Sequence, residues 1–229
     1  MGIAERVRFS QFHSRIMDAA AAAALIPHGA TVGMSGFTGA GYPKALPQAI
    51  AERAQAEHAQ GRPYKINLWT GASTAPECDG ALAQAHAIGQ RLPFNTDPLA
   101  RQQINAGEID FIDMHLSHVA QHAWFGFFGK MNVAVIEVLG VTADGLLIPS
   151  TAIGNNKTWL EIADQVILEV NTKLPGAMEG MHDIYYGTAI PPRRMPISMT
   201  HADNRIGEPY LKVDPAKVIA VVETHGSDR

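Results

Sequence analysis

Short apolar runs alternate along this chain with longer stretches whose apolar residues return at helical spacing. The run Ala30-Thr31-Val32-Gly33-Met34 reads as a buried strand. A helix over about residues 12–25 precedes it and is ended by Pro27-His28-Gly29. A second helix opens at Pro43, where a missing N–H costs nothing, and runs to about residue 59. Residues 64–70 predict the next strand, 80–89 and 98–106 two helices, and 109–112 a short strand. Residues 132–139 form a strand by their β-branched content, and Asp144-Gly145 turns the chain into a hairpin with 146–148. A helix over 155–163, a strand over 165–170 and a last strand over 218–222 complete the pattern. Between 171 and 214 the prolines cluster, which predicts an irregular excursion rather than a second core. The alternation implies an α/β fold: an open, mostly parallel sheet with helices on both faces.

Composition narrows the function classes. The 229 residues suit one large α/β domain or two small ones, and 46% hydrophobic against 17% charged residues excludes disorder. A formal net charge of −4 argues against a general nucleic-acid binder and leaves room for a local basic pocket. Cys78 is the one cysteine, so no internal disulfide forms and a reducing, cytoplasmic setting fits best. Its acidic neighbours Glu77 and Asp79 disfavour a thiolate nucleophile. The apolar tract over 19–26 is alanine-rich and too short to span a bilayer, and no signal peptide is visible, so no membrane partner is expected.

The chemistry concentrates where strands end. Ser35-Gly36-Phe37-Thr38-Gly39-Ala40-Gly41-Tyr42-Pro43-Lys44 follows the first strand, and its glycines let backbone approach a ligand. The order Gly36-x-x-Gly39-x-Gly41 is not a dinucleotide fingerprint, and Lys44 stands too far from Gly41 for a phosphate loop. Small polar residues follow other strands: Ser73 and Thr74, Asn95 and Thr96, Asn155 and Asn156. Such groups line carboxylate or carbonyl pockets, and they also serve as ordinary helix caps. His115, His118 and His122 share one helix face, but no acidic or cysteine ligand completes a metal site, and none is expected. His182-Asp183 are adjacent and so rarely face one another, and no Gly-x-Ser-x-Gly elbow occurs.

A series of these motifs carries a resemblance. The glycine loop is followed in order by Thr70-Gly71-Ala72-Ser73-Thr74, Pro93-Phe94-Asn95-Thr96-Asp97 and Ile104-Asn105-Ala106-Gly107-Glu108. Gly154-Asn155-Asn156-Lys157-Thr158-Trp159-Leu160 and Glu179-Gly180-Met181-His182-Asp183-Ile184 complete it. The series resembles the acetyl-CoA hydrolase/transferase family within the class I coenzyme A transferases, over nearly the whole chain. Members are longer, with two similar α/β halves, and this chain resembles the amino-terminal half alone.

The resemblance implies that residues 1–229 form one amino-terminal CoA-transferase domain, with the proline-rich excursion at 171–214. It implies exchange of CoA between an acyl-CoA and a small carboxylate through a glutamyl-CoA intermediate. The nucleophilic glutamate and the glycine-rich CoA-binding segment belong to the other half, so no residue here is assigned as catalytic. Coenzyme A is then a substrate, and no cofactor is expected. The expected partners are the carboxy-terminal half or a partner subunit, and the complete protein is expected to be a homo-oligomer. Ser73 and Thr96 match positions near the carboxylate substrate, and Arg229 matches an arginine near the junction of the halves, with Arg205 as a fallback. Gly36, Thr38 and Gly39 would form a wall of the same cavity. Two alternatives stand beside this one: a natural α-type subunit of a two-chain enzyme, and a non-catalytic carboxylate- or acyl-binding module. A reading frame that continues past Arg229 is the favoured expectation.

Overall fold

In the computed structural model, which describes residues 2–72, 75–187 and 194–229, the alternating pattern becomes an eight-stranded sheet. The strands are β1 (Thr31–Met34), β2 (Ile66–Trp69), β3 (Ile88–Leu92), β4 (Asp110–Phe111), β5 (Val133–Val141), β6 (Leu147–Pro149), β7 (Gln165–Asn171) and β8 (Val218–Thr224). Their order is β4-β3-β2-β1-β5-β7-β8, with every pair along it parallel. β5 is long enough to serve two neighbours on one side. Val133 to Val135 pair with β1, and Val138 to Val141 pair antiparallel with β6, the expected hairpin.

The helices are α1 (Ile3–Arg6), α2 (Ala19–Ala24), α3 (Ala45–Ala59), α4 (Ala81–Gln84), α5 (Pro98–Asn105), α6 (Leu116–Trp124) and α7 (Asn156–Ile162). They fall on two faces because strand side chains alternate. Val133 and Val135 pack with Ala22, Leu46, Ile50, Leu82 and Ala100 on one face. Ala134, Ile136 and Val138 pack with Phe12, Val119, Trp159 and Leu160 on the other. From β1 the chain winds outward through α3 to β2, and from β5 it winds the opposite way through α7 to β7. The winding direction therefore reverses between β1 and β5, and the glycine loop leaves β1 at that reversal, where open α/β sheets bind ligands.

Three local expectations are corrected. The helix expected over 12–25 is broken in two: a 3₁₀ turn (Ser10–Arg15) and α2. Ile16 is extended and bridges to Val221, Met17 N donates to Val221 O at 3.0 Å, and Asp18 restarts the helix by accepting from Ala21 N at 2.7 Å. The helix expected from Pro43 begins at Ala45, with Lys44 as its flanking residue. The helix expected over 80–89 is only α4, preceded by a widened helical turn (Pro76–Gly80). Its last two residues, Ile88 and Gly89, instead open β3, which slots beside β2 despite Gly89 and Gln90, because β2 supplies a ladder that sequence pattern does not reveal. The excursion between β7 and β8 carries a 3₁₀ turn (Gly176–Met178) and is pinned by bridges Leu147–Leu211 and Ile184–Glu208.

Candidate active-site half

The glycine loop folds back on itself directly after β1. Phe37 N donates to Ala40 O at 2.8 Å and Ala40 N returns to Phe37 O at 3.1 Å. Gly36 is needed because a Cβ there would lie 2.3 Å from Ala40 O. Thr38 takes a left-handed backbone, φ 52°, an uncommon conformation for a residue with a side chain. Its N–H reaches Ala72 O at 3.1 Å, which ties this loop to the loop after β2. The third strand-end loop joins through Ser35, whose Oγ accepts from Asn155 N at 2.9 Å, while Asn155 Nδ2 donates to Thr70 O at 3.3 Å.

Arg229 sits on this turn. Its N–H donates to Gly39 O at 2.9 Å, and a Cβ on Gly39 would lie 2.6 Å from Arg229 O. The Arg229 guanidinium meets Glu77 Oε1, from Nε at 2.6 Å and from Nη2 at 2.5 Å. The other oxygen of Glu77 accepts from Tyr42 O–H at 2.9 Å. Burial alone would raise the Glu77 carboxyl, but hydrogen bonds from backbone, Tyr42 and Arg229 hold it below the usual range. Burial, with Glu77 alongside, pushes the Tyr42 phenol up, so it stays a donor. Arg229 and Glu77 border a cleft of about 510 Å³ that Gln48, Gln84, Asp97 and Leu99 also line. Thr96 is exposed in an adjoining hollow of about 120 Å³, and the two spaces share Pro76 and Asp97.

Beneath the turn lies a buried ionic cluster that motif reading missed. Lys44 Nζ donates to Tyr42 O at 2.9 Å, Glu137 Oε2 at 2.6 Å and Asp228 Oδ1 at 2.9 Å. Asp228 also bonds Thr151 and accepts from Gly41 N at 3.3 Å, which fixes the segment that presents Arg229. Glu169, the register neighbour of Glu137, accepts from the N–H groups of Lys44, Ala45 and Leu46 at 2.6, 2.9 and 2.9 Å. It caps α3 from another strand, satisfying donors that the helix start leaves open. Burial pushes the Glu137 carboxyl up to about 7 against the pull of Lys44. Burial pushes Lys44 down, but the surrounding carboxylates outweigh it and keep the ammonium above its ordinary value. For Asp228, burial is overcome by hydrogen bonds from Thr151 and Lys44, and its carboxyl is lowered. The readable signal was a lone carboxylate inside an apolar strand, in Val135-Ile136-Glu137-Val138 and again in Ile167-Leu168-Glu169-Val170.

Of the site residues expected from sequence, Gly36, Thr38, Gly39 and Arg229 meet at one turn, and Thr96 faces the neighbouring hollow. Ser73, with Thr74, lies outside the described residues. The cap beside Thr96 is Asp97 rather than Thr96 itself: Asp97 Oδ1 accepts from Ala100 N at 2.9 Å and starts α5, and Asn95 Oδ1 accepts from Asp97 N at 3.0 Å. Arg205 donates to the carbonyls of His182 and Gly180, each at 2.8 Å, and so ties the excursion together away from the turn. His182 contacts Ser150 O at 2.5 Å, while Asp183 accepts from Ile206 N and Gly207 N, so the two do not act as a dyad. The rings of His115, His118 and His122 follow one another along α6 at 5.4 and 5.9 Å, and among the described residues no group of three ligating side chains could hold a metal. Burial pushes the Cys78 thiol well up, which leaves it unsuited to nucleophilic attack. Among the described residues no helix is long and apolar enough to cross a membrane.

Comparison with known proteins follows the same architecture. The chain is 40% identical over 225 residues to the succinyl-CoA:acetate CoA-transferase of Clostridium kluyveri, covering 98% of this chain and 41% of that protein. It is 45% identical over 212 residues to the propanoyl-CoA:succinate CoA transferase of Escherichia coli, covering 93% and 43%. The acetyl-CoA hydrolase of Schizosaccharomyces pombe is 36% identical, over 99% of this chain and 44% of its own length. The chain thus spans less than half the length of these curated relatives. Among solved structures, RipA from Yersinia pestis superposes with TM-score 0.63 at 15% identity, over 96% of this chain and 44% of that one. Glutaconate coenzyme A-transferase from Acidaminococcus fermentans gives 0.59 at 13%, over 91% and 75%. These two likenesses establish the fold. Residues 1–223 match the model of the acetyl-CoA hydrolase/transferase N-terminal domain, and the chain belongs to that family.

Proposed function

We propose that this chain builds the carboxylate-binding half of an enzyme that moves CoA between an acyl-CoA and a small carboxylate, or to water. One observation carries the reading: Arg229, held on the Gly39 carbonyl, presents its guanidinium at the mouth of a cleft at the carboxyl edge of the sheet. A planar guanidinium suits a carboxylate because it offers paired donors in a fixed fork. Thr96 and Ser73 would add hydroxyl donors, and Gly36, Thr38 and Gly39 would wall the cavity. The glutamate that attacks the thioester comes from the carboxy-terminal half or from a partner subunit. Attack forms an acyl-glutamyl anhydride and frees CoA thiolate, which adds to the anhydride and releases the carboxylate. The resulting glutamyl-CoA is then opened by the incoming acid. CoA is a substrate throughout. The complete protein works in the cytoplasm as a homo-oligomer.

Two exposed aromatic rings favour this reading over an independent binding module. Phe37 and Phe94 stand 58% and 50% exposed on the glycine turn and beside Thr96. Apolar rims at a polar site suit a cavity that another surface closes, and closure keeps water from the anhydride. Incubated alone with acetyl-CoA and succinate, the chain is expected to exchange no CoA. Addition of the complementary half is expected to restore exchange. Robust exchange by the chain alone overturns the assignment of the nucleophile elsewhere.

A further inference from the structure

We propose that Glu77 is a resident stand-in for the substrate carboxylate, occupying Arg229 until the substrate displaces it. The inference rests on the reading of Arg229 as a carboxylate binder. Three observations support it. Glu77 supplies a carboxylate to the guanidinium, with Nε at 2.6 Å and Nη2 at 2.5 Å from one oxygen. Its second oxygen is held separately by Tyr42 O–H at 2.9 Å, so Glu77 keeps a strong donor when Arg229 lets go. The pair lies at the cleft, with Arg229 62% and Glu77 31% exposed, so a ligand can reach the guanidinium.

The local fold explains how the stand-in is placed. Glu77 lies in the widened helical turn Pro76–Gly80, a backbone form that recurs at functional sites. Tyr42 is buried at the end of the glycine loop, so the same loop that seats Arg229 also anchors its internal competitor. The exchange breaks one charge-assisted contact and makes another of the same kind. No covalent step is involved and no proton moves. Occupation of Arg229 by Glu77 lowers the apparent affinity for free acids and keeps the guanidinium oriented between turnovers. An ion pair this exposed is worth on the order of 1 kcal/mol, which converts to an affinity effect of about fivefold.

The test titrates acetate into the 229-residue chain and follows the Arg229 Nε–H and Gly39 amide resonances. Glu77→Gln is expected to bind acetate about fivefold more tightly than the parent chain. Glu77→Ala is expected to show a gain in the same direction. Arg229→Ala, alone or with Glu77→Gln, is expected to lose binding. A gain of affinity is a readout that mere structural damage would not produce. If both Glu77 variants bind equally or more weakly while Arg229→Ala still abolishes binding, the stand-in falls and the carboxylate reading stands. If Arg229→Ala binds acetate as well as the parent, or no form binds at all, the carboxylate reading falls and takes the stand-in with it.

Discussion

Lys44 and Arg229 flank the same glycine turn and both face carboxylates, yet their surroundings are opposite. The Lys44 side chain is 5% exposed and its ammonium makes three contacts, to Tyr42 O, Glu137 and Asp228. An ammonium has three protons to donate, so Lys44 is saturated and holds nothing further. Arg229 is 62% exposed, and of its five N–H donors only those on Nε and Nη2 meet Glu77. The first cation fixes the turn and the second remains open to exchange. Burial and donor count, rather than charge, separate the structural role from the proposed chemical one.

The largest test of this contrast is Lys44→Met. It leaves Glu137 and Asp228 facing each other without a cation, and breaking a buried pair in this way costs about 3–5 kcal/mol. Chemical denaturation at pH 8 should show a loss of that order. At pH 5.5 the loss should shrink, because Glu137 can then carry a proton. A cost below about 1 kcal/mol at pH 8 would mean that the cluster is no anchor, since that is the size of an exposed pair.

A second test uses pH on the unmutated chain. The folded Glu137 carboxyl titrates near 7 against an ordinary 4.5. Between those values the folded form holds a proton that the unfolded form has released, so this group's contribution to stability falls as pH rises through the window. At about 1.36 kcal/mol per pH unit the loss is at most about 3 kcal/mol. Glu77 and Asp228, whose carboxyls are lowered, act with the opposite sign, and their stabilisation disappears only in more acid solution. Glu137→Gln should reduce the slope between 4.5 and 7, leaving the share of Glu169, whose carboxyl burial also raises, and leaving the acid limb in place. An unchanged slope in that variant would remove Glu137 as its source.

The same contrast shows what could be read from the sequence. The parallel α/β sheet, the hairpin of β5 with β6 and the glycine turn followed from hydrophobic spacing and turn chemistry, which are local. β3 was missed because Gly89 and Gln90 weaken its pattern and its stability comes from the β2 ladder. The break at Ile16 was missed for the same reason, since its cause is Val221, far along the chain. Arg229 was reached only through a resemblance, and its seating on Gly39 depends on long-range folding. The buried partners of Lys44 were hidden differently. Glu137 and Glu169 stand between apolar neighbours in their strands, so the anomaly was visible but its partner was not.

The smallest expected effect sharpens the comparison most. Arg229→Ala removes an ion pair that is largely in water, where screening and side-chain entropy leave about 0–1 kcal/mol. Its backbone N–H to Gly39 O is untouched by the substitution, so the turn should keep its form. Thermal melting should therefore shift little, and far less than for Lys44→Met. Glu77 loses its guanidinium but retains Tyr42 O–H, so its carboxyl should move upward from its lowered position. An NMR titration of the Glu77 side chain would follow that rise. Should Arg229→Ala instead destabilise the chain as much as Lys44→Met, both cations would be anchors, and the distinction between a fixed and an exchangeable charge at this turn would collapse.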